Sequence, residues 1–135
     1  MDQVANSAET VAHAFVRAIN RQEPDAIAAQ MSPDHRFIDS LGNMVSGREA
    51  MRKGWASYFQ MVPDHALAID ETISSGPIVV LLGTARGTYS RGNELKAEDG
   101  WSTPVAIRAV IENGFVAEWQ VYADNEPIRK LIAKA

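Results

Sequence analysis

Trp101-Ser-Thr-Pro-Val-Ala-Ile-Arg-Ala-Val-Ile-Glu112, Asn113-Gly114 and Phe115-Val-Ala-Glu-Trp-Gln-Val-Tyr-Ala123 follow one another without interruption, and together they read as two strands and the turn that joins them. Asn-Gly is the dipeptide that a two-residue type I′ turn selects, because both central residues need positive φ. Both arms are rich in Val, Ile and aromatic residues at the strand period of two. The same period runs upstream through His65 to Ile73 and Ile78 to Tyr89, which Gly76-Pro77 separates. Ser90 to Gly100 is polar and contains glycine, as a loop between strands does. Four strands in succession predict an antiparallel meander.

Before residue 65 the apolar period is 3.6. Asn6 with Glu9 three residues later predicts a helix start, since the amide caps a free N–H and the carboxylate faces the positive helix end. Val11, Phe15, Ala18 and Ile19 then form one apolar face that ends near Arg21. Pro24 opens a second, short helix with Ile27 and Met31 buried and Ser32-Pro33 as its stop. His35 to Asp39 is a short strand closed by the turn at Gly42-Asn43. Ser46-Gly47-Arg48-Glu49 reads as a capping box, and Met51, Trp55, Tyr58, Phe59 and Val62 line one face of a third helix until Pro63. Pro127 begins a short last helix, Ile128 to Ala133. Helices first and a meander after them predict an α+β fold, a curved antiparallel sheet forming a cone with three helices on its concave face. A cone filled by core at one end and open at the other leaves a pocket for a small ligand.

Composition narrows the chemistry. At 135 residues, 46% hydrophobic and 22% charged, the chain has the size and make-up of one globular domain, residues 1–135. With no cysteine there is no disulfide, no thiolate metal site and no cysteine nucleophile, which fits a cytoplasmic protein. A net charge of −4 repels phosphate backbones and anionic bilayers, so neither nucleic acid nor membrane is an expected partner. The longest apolar run, Ile78 to Leu82, is far below a bilayer span, and Met-Asp-Gln-Val-Ala-Asn is not a signal sequence. His13, His35 and His65 are too scattered for a metal site, and the glycines at 83, 87 and 92 are not spaced as a phosphate loop. No cofactor and no metal are expected.

Four stretches carry a resemblance: His13-Ala-Phe-Val-Arg-Ala-Ile-Asn-Arg-Gln-Glu-Pro-Asp-Ala-Ile27, Ser32-Pro-Asp-His-Arg-Phe-Ile-Asp39-Ser-Leu-Gly42, Ala50-Met-Arg-Lys-Gly-Trp55-Ala and Asn113-Gly-Phe-Val-Ala-Glu-Trp119-Gln-Val-Tyr122. They resemble the nuclear transport factor 2-like superfamily of cystatin-like cones, in particular its ketosteroid isomerase and SnoaL-like members. The resemblance implies a small-molecule pocket, no cofactor, and a homodimer packed through the sheet. It puts Asp39 on the isomerase general base. The oxyanion-hole tyrosine falls on Phe15 and the second, protonated aspartate falls at or near Ala106, so both usual donors are missing. Two such donors are together worth about 5–8 kcal/mol of transition-state stabilisation if simply added.

An unbroken register from Asn113-Gly114 pairs Arg108 with Trp119 and Ala106 with Val121. The isomerase resemblance turns that face toward the pocket, bringing in Arg108, Ala106, Val110, Ala117, Trp119 and Val121. Val105, Ile107, Ala109 and Ile111 would then lie outside, an apolar face suited to a dimer. An inward Arg108 needs a partner, and Asp39 is the natural one. Two readings follow: Arg108 steadies an anionic oxygen while Asp39 moves a proton, or the two form a structural ion pair. Phe15, Phe37, Trp55, Tyr58, Trp101, Ala106 and Trp119 are the expected ligand contacts, with plain core packing as the alternative for each aromatic. The expected ligand is a small hydrophobic or cyclic organic molecule. The expected reaction is cofactor-free proton transfer, as in an isomerase or cyclase, on a cyclic ketone or polyketide-like substrate. A non-catalytic binding module is the second reading, and epoxide hydrolysis, which wants Asp-Arg-Asp, the third.

Overall fold

Asn113 and Gly114 take φ of 54° and 80°, the pair of positive values a type I′ turn requires. Around this turn the computed structural model, which describes residues 3 to 134 and their side chains from Ala8 to Lys134, forms an α+β fold. Its order is α1 (Gln3–Arg21), α2 (Pro24–Ala29), β1 (Met31–Ile38), β2 (Met44–Ser46), α3 (Arg48–Met61), β3 (Ala66–Ser75), β4 (Ile78–Thr88), β5 (Gly100–Glu112), β6 (Phe115–Ala123) and α4 (Glu126–Ala133), with a 3₁₀ turn at Ala97–Asp99. The six strands form one sheet in the order β2-β1-β6-β5-β4-β3. All neighbours are antiparallel except β1 and β6, which run parallel.

Several local expectations give way. α1 starts at Gln3, ahead of Asn6, whose side chain, like Met1 and Asp2, lies outside the described residues. The second helix ends at Ala29, so Met31 is the first residue of β1 and not the end of a helix. Pro33 sits inside β1 where pairing with β6 skips from Met31 to Arg36, so its missing N–H breaks no ladder bond. The capping box does not form: Ser46 belongs to β2, Gly47 at φ 106° is the N-cap, and the Gly47 N–H bonds to the His35 carbonyl at 2.7 Å.

Two bulges decide which side chains face the helices. In β6 the pairing steps from Ile111↔Val116 to Val110↔Glu118, leaving Ala117 as an extra residue. In β3 it steps from Ile69↔Gly83 to Glu71↔Leu82, leaving Asp70 unpaired. Each bulge bends its strand and adds twist, and together they curl the sheet. Because a one-residue slip exchanges the two faces, the Ala117 bulge pairs Arg108 with Gln120 and Ala109 with Trp119. Val105, Ile107, Ala109 and Ile111 are therefore buried with the helices, not exposed for a dimer.

The core lies between this concave face and α1. Ala12, Phe15, Ala18 and Ile19 are fully buried, and Phe15 packs on Trp119 with ring centroids 4.7 Å apart. Asn20 anchors the end of α1 by accepting from the Leu67 N–H at 2.8 Å and donating to the Leu67 carbonyl at 2.9 Å. Arg48 donates twice to the Met31 carbonyl, fixing the start of α3. Buried Asp99 accepts from Arg91 Nε at 2.9 Å, and Arg91 also donates to the Leu131 carbonyl, tying the 90–99 loop to α4. Gly83 is required by close approach: a Cβ there would sit 1.8 Å from the Ala68 carbonyl oxygen, beside the β3 bulge. Gly83→Ala is expected to lower unfolding stability by about 3 kcal/mol, at the high end of overpacking costs, in urea denaturation. An unchanged midpoint would mean that β3 yields at this point.

Candidate functional site

Under the open end of the curl lies a cavity of about 370 Å³. Phe37 and Asp39 reach it from the end of β1, and Val45 from β2. Met51, Gly54, Trp55 and Tyr58 come from α3 and make one wall. The curved strands supply Leu67, Ala85, Thr103, Val105, Ile107, Trp119 and Val121. Every Trp of the chain lies in this lining, and no Arg or Lys does among the described residues. A second hollow, of about 400 Å³, shares Ser40, Tyr58, Trp101, Ala123 and Asn125 with the first and runs beneath α4. Asn125 Nδ2 donates to Ser40 Oγ at 2.7 Å across that junction.

The aromatic residues are in contact with one another. Trp55 meets Phe37 and Tyr58 edge-on, both at 6.1 Å, and stacks on Phe59 at 5.6 Å. Tyr58 stands edge-on to His65 at 5.1 Å, and His65 lies 6.2 Å from Trp101. Burial pushes the Tyr58 phenol above its ordinary range, so it stays protonated and able to donate. Burial pulls His65 down to about 4, against a smaller opposing pull from Asp64, so the imidazole is neutral at pH 7. Among the described residues, three buried polar atoms of this wall have no partner: Trp55 Nε1, His65 Nδ1 and Trp101 Nε1.

The expected contacts divide into two groups. Phe37, Asp39, Trp55, Tyr58, Trp101 and Trp119 share the cavity. Phe15 does not line it; it is completely buried against Trp119 and His35, one layer below. Arg108 and Ala106 lie on the convex face, because the Ala117 bulge displaces the register by one. Arg108 Nη1 donates to Glu118 Oε2 at 2.7 Å, and Arg36 Nε donates to Glu118 Oε1 at 3.0 Å, a solvent-side network far from any partnership with Asp39. An epoxide hydrolase arrangement around Arg108 is lost with it.

Asp39 has local duties. Its Oδ1 accepts from the Leu41 and Asn43 N–H groups, both at 2.9 Å, and its Oδ2 from Asn43 Nδ2 at 3.3 Å. The carboxylate thus holds the turn between β1 and β2 at the cavity edge. His65 was absent from the expected contacts, although its parity with Leu67 and Ile69 at a strand entrance was the available signal. His35, the first residue of the short strand expected there, is completely buried; its Nδ1 donates to the Val116 carbonyl at 2.7 Å, and burial lowers its affinity for a proton.

A curved sheet wrapped on helices around an apolar hollow defines a cone-type α+β protein. The SnoaL-like domain family matches residues 12–119, and the chain belongs to that family. Solved structures agree on the fold. A candidate SnoaL-like polyketide cyclase from Jannaschia sp. CCS1 superposes with a TM-score of 0.82 at 16% identity, covering 96% of this chain and 94% of the other. AclR, a candidate hydroxylase from Streptomyces galilaeus, gives 0.77 at 20% identity over 98% and 83%. A protein of ketosteroid isomerase-like fold from Catenulispora acidiphila, in complex with trimethylamine, gives 0.73 at 19% identity over 83% of each chain. No curated protein matches the chain. No helix among the described residues is long and apolar enough to cross a membrane.

The buried histidines set a pH dependence. Between its ordinary value of 6.5 and its folded value of about 4, His65 binds a proton in the unfolded chain but not in the folded one. Stability is therefore complete above pH 6.5 and falls as pH drops. From pH 7 to pH 5 His65 alone should remove about 2 kcal/mol, and His35 acts in the same direction. Urea titrations at those two pH values should show a smaller loss for His65→Gln than for the wild type; equal losses would contradict a neutral, buried His65.

Proposed function

We propose that the cavity takes a small cyclic or polycyclic organic molecule and that the protein moves a proton on a ketone-bearing, polyketide-like substrate without a cofactor. The observation that carries this reading is a 370 Å³ hollow, apolar over most of its wall, with Asp39 as the only carboxylate in its lining among the described residues. An aromatic, weakly polar chamber excludes water from an enolate and strengthens each hydrogen bond made to it. Asp39 takes a proton from the carbon next to the carbonyl, the electron pair moves to the carbonyl oxygen, and the proton returns to another atom of the same molecule. Similarity to candidate polyketide cyclases supports the substrate class, although a candidate hydroxylase shares the fold, and fold alone does not assign a reaction.

One observation favours a second reading, a non-catalytic binding module: both Asp39 oxygens already accept hydrogen bonds from their own turn. Asp39→Asn distinguishes the two, because Asn can still accept through Oδ1 and keep the turn. Deuterium exchange next to the carbonyl, followed by NMR across a panel of cyclic ketones, should slow at least ~100-fold in the variant. Equal exchange in both proteins would make the chain a binder.

We also infer a homodimer through the convex face of the sheet. Ile78, Val80, Leu82, Ala106 and Val110 lie there half-buried, with Ile73 and Tyr122 more than half exposed. Sedimentation velocity at micromolar concentration should give a dimer, and a monomer would remove the inference.

A further inference from the structure

Tyr58 and Trp101 each line two hollows at once, the 370 Å³ cavity and the 400 Å³ space beneath α4. Ser40, Ala123 and Asn125 do the same, so the two spaces meet at a partition one side chain thick. The hydrogen bond from Asn125 to Ser40 crosses that partition and is exposed, so water can replace either partner when it opens. α4 spans the second space because it is held at both ends. At its start the Glu126 N–H donates to Asp124 Oδ1 at 3.0 Å, beside the tie from Asn125 to Ser40. At its end the Leu131 carbonyl accepts from Arg91 Nη2 at 2.6 Å, and buried Asp99 fixes Arg91 in turn.

The lining of this space says what it would take. Ile128 and Ile132, one turn apart on α4, form its roof, and Tyr58, Met61, Trp101 and Leu41 form much of the rest. Leu41 is 78% exposed and Ile132 41%, so apolar surface stands at the rim with little packed on it. Asp124, Glu126 and Arg129 also line the space but are engaged with one another: Glu126 pairs with Arg129 at 3.4 Å and Asp124 with the Glu126 N–H. What they leave open is hydrocarbon and ring surface. A packed interior has few voids larger than a water molecule, so an apolar gap of this size under a pinned helix is room for something the chain does not itself supply. We propose that the space beneath α4 is a second subsite of the same ligand site, and that it takes an uncharged apolar extension, an alkyl chain or a further ring, of a molecule whose head lies in the first cavity. This rests on the reading that the cavity binds a cyclic organic molecule, and it adds where that molecule extends and what the extension is made of.

The probes are methyl 2-naphthyl ketone and pentyl 2-naphthyl ketone, which share a head and differ by four methylenes. They are titrated into protein labelled with ¹³C at its isoleucine methyls, where Ile107 reports the first cavity and Ile128 and Ile132 the second. Four fully buried methylenes would tighten binding ~200-fold, and ordering the chain offsets part of this, so a gain of about thirtyfold is expected for the pentyl ketone. Both ketones should show nuclear Overhauser contacts from the ring to Ile107. Only the pentyl ketone should show contacts from its terminal methyl to Ile128 or Ile132. Ile132→Trp, at an exposed position, should fill the space and remove most of the gain while the methyl ketone binds as before. Should that variant fail to fold, the contacts in the wild type decide. Equal binding of the two ketones, an undiminished gain in Ile132→Trp, or a terminal methyl that contacts Ile107 and neither Ile128 nor Ile132, overturns the second subsite and leaves the cavity reading in place. If neither ketone binds at millimolar concentration, the cavity reading fails and the subsite with it.

Discussion

Ala117 is one residue more than β6 needs to match β5, and the inner surface of the protein depends on where that extra residue is absorbed. The strand period allows only alternate side chains inward, yet Val116 and Trp119, three residues apart, are both buried. A regular strand cannot present both on the same face; a bulge between them can. The cost is a local break in the ladder. The return is a Trp that covers Phe15 from above and forms part of the cavity wall from the other side. The same slip sends Arg108 to the convex face, where Glu118 receives it together with Arg36. One inserted residue thus separates an interior lined by no Arg or Lys, among the described residues, from a salt-bridged exterior.

That separation bears on the chemistry available inside. A guanidinium in the cavity would need a buried counter-charge, and desolvating such a pair can cost more than its attraction returns. Tyr58 and His65 in the wall are instead neutral, a protonated phenol and an uncharged imidazole. Phe15, on the position of the isomerase tyrosine, is packed in the core, and Arg108, which an unbroken register would bring into the pocket, is paired on the convex face. Asp39 remains at the edge of the cavity, and the aromatic side chains of α3 and β5 inside it.

The sequence carried the fold well, for reasons that belong to particular residues. Asn113-Gly114 has the backbone freedom its turn demands, Pro24 and Pro63 bound helices because they lack an N–H, and long alternating strands tolerate few other readings. Short elements were less visible. β2 is three residues long and largely exposed, too short to carry an alternating pattern, and Met31 has the same apolar character at the end of a helix as at the start of a strand. The site was legible where long helical or strand periodicity governed it, as for Trp55, Tyr58 and Trp119. It was illegible across the bulge, because period-two counting assumes no insertion, and Arg108, Ala106 and the outward set Val105, Ile107, Ala109 and Ile111 were all reversed by one residue. His65 was hidden for another reason: a histidine at a strand entrance is ordinarily solvated, and only the closure of Tyr58 and Trp101 around it makes it a wall.

The parallel pairing of β1 with β6 has a consequence for how the chamber comes into being. His35 and Val116, joined by a hydrogen bond, are 81 residues apart in the chain, and bringing such distant segments together is the slow part of folding. During synthesis α1, α2, β1 and α3 leave the ribosome well before the strand that pairs with β1. Phe15, Ile19 and Met31 must wait, uncovered or loosely clustered, until residues 115–123 arrive. The meander β3 to β6 can zip locally through its hairpins and then receive the helical half as a single docking event. The hollow therefore cannot be complete before β6 is made, and a nascent chain halted before Phe115 holds the residues of α1 to α3 and β1 to β5 but not the strand that closes the chamber.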